Sequence, residues 1–308
     1  MNASHLFSRR QFLTQAALAT SAIAWGQSGS RLAAAPPGPW PLATFSKVHQ
    51  ELNLDFDEVA AVTAEAGLDG IDCPVRPAGQ VLPERVAEDL PRLAEALSRR
   101  KLKLLLLTTA IQSATSPHAE PLLRTARKLG VKYYRLGNWS YRENAPAAKQ
   151  LDEIKAQLKD LAALNHELGM CAVFQNHSGQ GRVGAKVWDL YEIANGFDPE
   201  QVGIAFDLGH ALIEVDQDWR AQFEKLRSHF RVAYVKDWKR GRDFVPFGQG
   251  EFATSGLFKR LKSTGYHAPI SMHTEYDWAG PGEKKTRAAL VKALQSDAQV
   301  LRGWLEQA

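Results

Sequence analysis

Cysteine is scarce in this chain: Cys73 and Cys171 are the only two among 308 residues. Two cannot build a disulfide framework, and Cys171 sits in an apolar run that reads as core. Beyond the amino-terminal leader no run of 18 apolar residues occurs, so no stable membrane span is expected. An excess of charge is missing as well. Lys and Arg number 38 against 34 Asp and Glu, and Arg9, Arg10 and Arg31 lie in a segment expected to be removed. That leaves 35 against 34, which gives no support for a nucleic-acid partner.

What is present begins with a leader over residues 1–35. Ser8-Arg9-Arg10-Gln11-Phe12-Leu13 precedes a short apolar, small-residue run and then Ala33-Ala34-Ala35. A basic start, an apolar centre and a small-residue exit predict a signal peptide. SRRQFL resembles the twin-arginine signal, so the twin-arginine export machinery is an expected partner and the periplasm the expected location.

Residues 36–308 read as one domain. Short apolar runs alternate with helical periodicity eight times. Strands are predicted at 42–45, 70–75, 102–109, 131–136, 170–174, 202–206, 232–235 and 269–273. Helices are predicted at 56–66, 83–100, 117–129, 147–168, 187–195, 219–229 and 255–263, with a closing helix carrying Leu290, Leu294, Leu301 and Leu305. In the longest, Leu151, Ile154, Leu158 and Leu161 make one apolar stripe. Runs apolar on both faces argue for parallel strands. Eight units in one chain of this length fit an α/β fold closed as a single (β/α)8 TIM barrel.

In such a barrel chemistry belongs at the carboxyl ends of the strands. Strand five ends in Gln175-Asn176-His177, strand six in Asp207-Leu208-Gly209-His210, strand seven in Tyr234-Val235-Lys236-Asp237 and strand eight in His273-Thr274-Glu275. These converge over one side of the mouth. The first half is poorer, with Lys47, His49, Asp72, Arg76, Arg135 and Asn138. Each residue also has a plain structural role open to it. Asp207 could cap the next segment, and Lys236-Asp237 could be a simple ion pair.

A second pattern competes. Gly179 to Gly184 reads GQGRVG, the G-x-G-x-x-G of a dinucleotide cradle, after a strand, before a helix, and 23 residues ahead of Asp207. Gln175 to Ser178 separate the apolar strand from the first glycine, however, and four βα units come earlier. A flexible connecting loop is the better reading of these glycines.

QNH, DLGH at 207–210, VKDW at 235–238, FGQGEF at 247–252 and GYHAPISMHTE at 265–275 together resemble the xylose-isomerase-like barrels of sugar phosphate isomerases and epimerases. The resemblance covers about residues 40–305. It implies a divalent metal, Mn2+ or Mg2+, with Asp207 and Glu275 at two ligand positions. At the other two positions Gln175 stands for a Glu and Tyr234 for a His.

The resemblance also implies proton transfer at a carbon next to a carbonyl. Glu275 is the expected base, Lys236 or a metal the stabiliser of the developing oxyanion, and His177 or His210 the group that returns the proton or holds hydroxyls. Asn176, Tyr234 and Asp237 are further candidates for holding substrate. The expected substrate is an unphosphorylated sugar or keto-glycoside, undergoing epimerisation, isomerisation or β-elimination. A catalytically inactive sugar-binding barrel is the alternative, ahead of a nicotinamide-dependent oxidoreductase and a nuclease.

Overall fold

The computed structural model describes residues 40–214, 218–240 and 244–308. The expected signal, residues 1–35, lies outside them. Eight parallel strands close into a barrel: β1 (Leu42–Phe45), β2 (Gly70–Val75), β3 (Lys103–Thr109), β4 (Tyr133–Arg135), β5 (Cys171–Gln175), β6 (Val202–Asp207), β7 (Phe230–Val235) and β10 (Ile270–Met272). Each pairs with its sequence neighbour, and β10 closes the ring by lying between β7 and β1. Two further short strands, β8 (Asp237–Trp238) and β9 (Phe244–Val245), form an antiparallel pair beside the mouth.

The outer layer is helical: α1 (Lys47–Gln50), α2 (Phe56–Glu65), α3 (Val86–Arg99), α4 (Ala119–Lys128) and α5 (Ala147–Leu168). It continues with α6 (Val187–Ala194), α7 (Leu208–Ile213), α8 (Trp219–Leu226), α9 (Leu257–Ser263) and α10 (Arg287–Glu306). Local chemistry sets the ends. Asp55 and Glu58 form a reciprocal capping box at the start of α2, and Gly169 takes a left-handed conformation just after α5. The predicted stripe of α5 is buried against the barrel wall, as its period required. Among the described residues no helix is long and apolar enough to cross a membrane.

Three elements were not expected from periodicity: α1, α7 and the β8–β9 pair. The reason is length. Six residues of α7, opened directly at Asp207, are too few to show a helical repeat.

Two apolar cores result. The larger lies between the barrel wall and the helices. The smaller fills the barrel interior with Ala43, Leu106, Cys171, Val173, Ala205, Val232 and Tyr234. Strand side chains alternate between faces. Following the interior residues upward two at a time brings Arg135, Gln175, Asp207, Lys236 and His273 to the carboxyl-terminal mouth.

Candidate active site

The centre of the mouth is a buried ion cluster. Lys236 Nζ lies 2.6 Å from Glu275 Oε2 and 3.2 Å from Asp207 Oδ2. It also lies 3.1 Å from His210 Nε2. Because an ammonium only donates, His210 Nε2 must accept, and its ring proton sits on Nδ1, facing Ser178 Oγ at 2.9 Å. The Phe244 ring covers the ammonium with its centroid 4.6 Å from Nζ. Lys236 is 2 % exposed and Asp207 fully buried, so neither charge is diluted by bulk water.

Burial alone would neutralise these groups, and their mutual pairing overrides it. For Asp207, burial pushes the pKa up, but Lys236, His210 and His273 hold it below the ordinary value. For Glu275, burial is likewise outweighed by His273 and Lys236, which hold the carboxyl far below its usual range. The Lys236 pKa is raised, because Asp207 and Glu275 outweigh its desolvation. His210 goes the other way: burial dominates and lowers it to about 3, so the imidazole is neutral near pH 7.

Gln175 joins this cluster to the first half of the mouth. Its Oε1 accepts from Arg135 Nη1 at 2.6 Å, and its Nε2 donates to Asp207 Oδ2 at 2.8 Å. An amide is the one side chain here that can face a guanidinium and a carboxylate at once. A glutamate would set two carboxylates in contact.

The remaining candidates separate. His177 is half-buried and stacks on His210 with centroids 3.9 Å apart. Its Nδ1 donates to the Ser178 carbonyl at 2.9 Å, which leaves Nε2 as a free acceptor. His273 is buried between Phe45 and Tyr234, with its Nδ1 3.8 Å from Glu275 Oε2.

Of three further expected substrate contacts, two are engaged elsewhere and one lies deeper. Asn176 bonds both ways with the Asp207 backbone, at 2.8 and 2.7 Å, and ties β5 to β6. Tyr234 is fully buried one layer below Lys236, as a floor to the pocket. Asp237 does not pair with Lys236. Its carboxylate accepts the backbone N–H groups of Trp238, Gly248, Gly250 and Phe252 at 2.8–3.0 Å and so fixes the following loop. A Cβ at Gly250 would lie 2.2 Å from Asp237 Oδ1, so only glycine fits there.

The sequence that builds this barrel matches a known family. The description "xylose isomerase-like TIM barrel" fits residues 60–296, more than half of the chain. The chain belongs to the xylose isomerase-like TIM barrel family. A search of curated proteins finds no sequence match. Solved structures share the fold. The IolI protein with a bound zinc atom has a TM-score of 0.67 at 18% identity, over 87% of this chain and 98% of that one. The probable 3-DHS dehydratase AsbF from Bacillus anthracis has a TM-score of 0.64 at 13% identity, over 85% and 98%. The 3-keto-D-glucoside 4-epimerase YcjR from E. coli has a TM-score of 0.61 at 14% identity, over 87% and 100%. At these identities the likeness is one of fold.

A divalent metal, implied by the family resemblance, is poorly suited by this member's donors. Gln175 already offers its carbonyl to Arg135, and Asp207 and Glu275 both face the Lys236 ammonium. Tyr234 is a buried phenol whose pKa burial drives well above its usual value, so it is no anionic ligand. Two fixed cations stand where a divalent ion would need negative donors. Among the described residues no group of three or more His, Cys, Asp or Glu is placed to hold a metal.

The GQGRVG segment serves this xylose isomerase-like barrel as the loop from β5 to α6. Gly179, Gly181 and Gly184 take positive φ. The amides a phosphate would need are occupied: Gly179 N by the Glu214 carboxylate at 3.1 Å, Val183 N by the Trp139 carbonyl at 3.1 Å, and Gly184 N by Asp189 at 3.0 Å. The dinucleotide reading lacks its anion cradle.

Besides a cavity of about 350 Å3 between residues 252–259 and the end of α10, two others bear on the site. One of about 320 Å3 opens at the mouth beside Glu275, lined also by Phe45, Lys47, Thr274 and Tyr276. A wider one of about 910 Å3 lies at the opposite end. Its rim charges are paired, as in Lys132–Glu200 at 2.9 Å and Arg231–Glu200 at 3.0 Å. That end of such barrels serves stability, so the smaller cavity is the candidate site.

Sequence reasoning noticed Arg135 but did not place it in the site. The strand parity that puts Gln175 and Asp207 inward would have done so.

Proposed function

We propose that the chain is an exported enzyme that removes a proton next to a carbonyl of an unphosphorylated sugar or keto-glycoside. The observation that carries this reading is the Lys236 ammonium, buried between Asp207 and Glu275, with Glu275 itself lining an open cavity.

Glu275 takes the proton from the carbon, the C–H electron pair forms the new C=C bond, and the carbonyl π pair moves to the oxygen. Lys236 Nζ donates to that oxygen as its charge develops. The pairing keeps Glu275 ionised and ready, although weakly basic. As the enolate oxygen draws on the same ammonium, Glu275 loses part of that stabilisation and its proton affinity rises. Base strength and oxyanion stabilisation therefore change in the same step. Proton return to the opposite face gives an epimer, and return to the neighbouring carbon an isomer. Loss of a leaving group from the β carbon gives elimination. His177, with Nε2 free, receives a substrate hydroxyl.

No step requires a metal, in keeping with the charges of the donor set. Export rests on the amino-terminal sequence alone, and retention of an Arg9→Lys, Arg10→Lys variant in the cytoplasm tests it. The reaction is tested by incubating the purified chain with sugars and keto-glycosides in heavy water. Deuterium incorporation by the wild type, lost in Glu275→Gln, is the expected result. Incorporation retained in Glu275→Gln removes Glu275 as the base. Sugar-dependent stabilisation with no exchange and no product supports the inactive sugar-binding barrel instead.

A further inference from the structure

Charges in the two halves of the mouth are matched differently. Lys236 and Lys47 both approach Glu275, the latter at 3.8 Å, and Asp207 is the second partner of Lys236. Two cations thus meet two carboxylates. On the other side stand Arg135, at the end of β4, and Arg76, just beyond β2.

Arg135 is 6 % exposed. Its hydrogen bond among the described residues runs from Nη1 to the neutral Gln175 carbonyl at 2.6 Å, and its buried Nε has no acceptor. Arg76 is half-buried, with its guanidinium 6.0 Å from the centre of the Phe45 ring. Val75 pairs with Thr109 and Arg135 with Thr108, so Arg76 and Arg135 stand at one level of the mouth on either side of β3, and burial and then the Arg135 charge pull the Arg76 pKa below the ordinary arginine value.

The carboxylate facing this pair is Asp72, and both its oxygens already accept hydroxyl protons, from Thr108 and Ser271 at 2.9 Å each. On this side of the mouth two guanidiniums face one carboxylate, Asp72. A buried guanidinium without an anion is costly, and its planar fork suits a carboxylate.

We propose that Arg135 and Arg76 form a subsite for one carboxylate of the substrate, so that the substrate is a sugar acid or an acidic keto-sugar. This rests on the reading of the mouth as a sugar-modifying site and narrows it. The one guanidinium charge in excess on this side matches a monoanion. The buried Arg135 fixes the carboxylate end, and Lys236 and Glu275 act on the carbonyl end. A neutral sugar would leave the Arg135 Nε–H unsatisfied in the closed complex.

The test is calorimetric titration of the purified chain with hexuronates, aldonates and 2-keto-aldonates, each beside its neutral parent sugar and a sugar phosphate. At least one acid is expected to bind at least tenfold tighter than its neutral parent. Arg135→Met should weaken that acid by about 10- to 100-fold and leave the neutral sugar unchanged. Arg76→Gln should do the same to a smaller degree. Arg76 is half-buried and makes no ion pair among the described residues, so its variant carries the test if Arg135→Met fails to fold.

Three outcomes overturn the subsite: no acid binding tighter than its neutral parent, acid affinity unchanged in the folded variants, or sugar phosphates preferred over acids. The two readings fail separately. Arginine-dependent acid binding without deuterium exchange keeps the subsite and removes the proton-abstraction reading. Exchange in neutral sugars alone does the reverse.

Discussion

The two halves of the barrel mouth solve the problem of buried charge in opposite ways. From β5 to β10 the charged side chains close on one another: Lys236 with Asp207 and Glu275, and Asp237 with four backbone amides. From β1 to β4 they do not. Arg135 leans on a neutral amide and Arg76 on an aromatic ring. Gln175 is one joint between them, touching Arg135 on one side and Asp207 on the other. The difference teaches how to read a buried ion pair. A closed cluster needs nothing to be stable, and its function lies in how its pairing can be redistributed. An open one implies something that arrives.

Several changes would break this contrast. The largest effect is expected from Glu275→Gln, which keeps the shape and the Lys236 contact but removes the proton acceptor. Deuterium exchange should fall by about 1,000-fold or more, with the circular dichroism spectrum unchanged. Lys236→Met should cost about 100- to 1,000-fold in exchange. It should also lower stability by about 3–5 kcal/mol in urea unfolding, since two buried carboxylates lose their cation.

Asp237→Asn tests the structural side of the closed half. Its amide nitrogen would face N–H groups, and a loss of about 3 kcal/mol with little direct effect on the proton-transfer step is expected.

Next comes pH. His49, a fully buried residue of α1, has its pKa lowered to about 4 by burial. A histidine depressed on folding binds its proton in the unfolded chain first. Stability therefore falls as pH drops from about 6.5 towards 4, by about 1 kcal/mol per pH unit. His49→Gln should flatten that slope in melts across the range.

The smallest effect should be none at all. Mn2+ or Mg2+ should leave the wild-type melting temperature unchanged, whereas Lys236→Ala, which exposes Asp207, Glu275 and His210 to one another, should gain stability from the ion. A stoichiometric Mn2+ site in the wild type would refute this account of the closed half.

The barrel was legible in the sequence because strands buried on both faces have nothing polar to hide them. All six residues of β2 and of β6 are buried, and both runs are apolar enough to show it. The site was legible as a set of strand ends but not as a set of directions. Asn176 and Asp237 stand next to inward residues, so the pleat turns them away, into backbone contacts. Tyr234 has the right parity but lies one layer too deep. Alternation by two, applied to each strand end, separates Gln175, Asp207 and Lys236 from their neighbours without coordinates. What no pattern could supply was pairing. That Lys236 meets Glu275, 39 residues later, and not the adjacent Asp237, follows only from the closure of β10 against β7.

One consequence follows from where the central cation is carried. A cation carried at the end of a side chain needs no free ion to be bound. The Lys236 ammonium is in place whenever the chain is folded, at any concentration of free metal and in the presence of any chelator. It cannot be exchanged for a different ion with other preferences. The cation at the centre of the cluster is fixed at synthesis, and it goes only when the amine is deprotonated or covalently modified or the barrel unfolds.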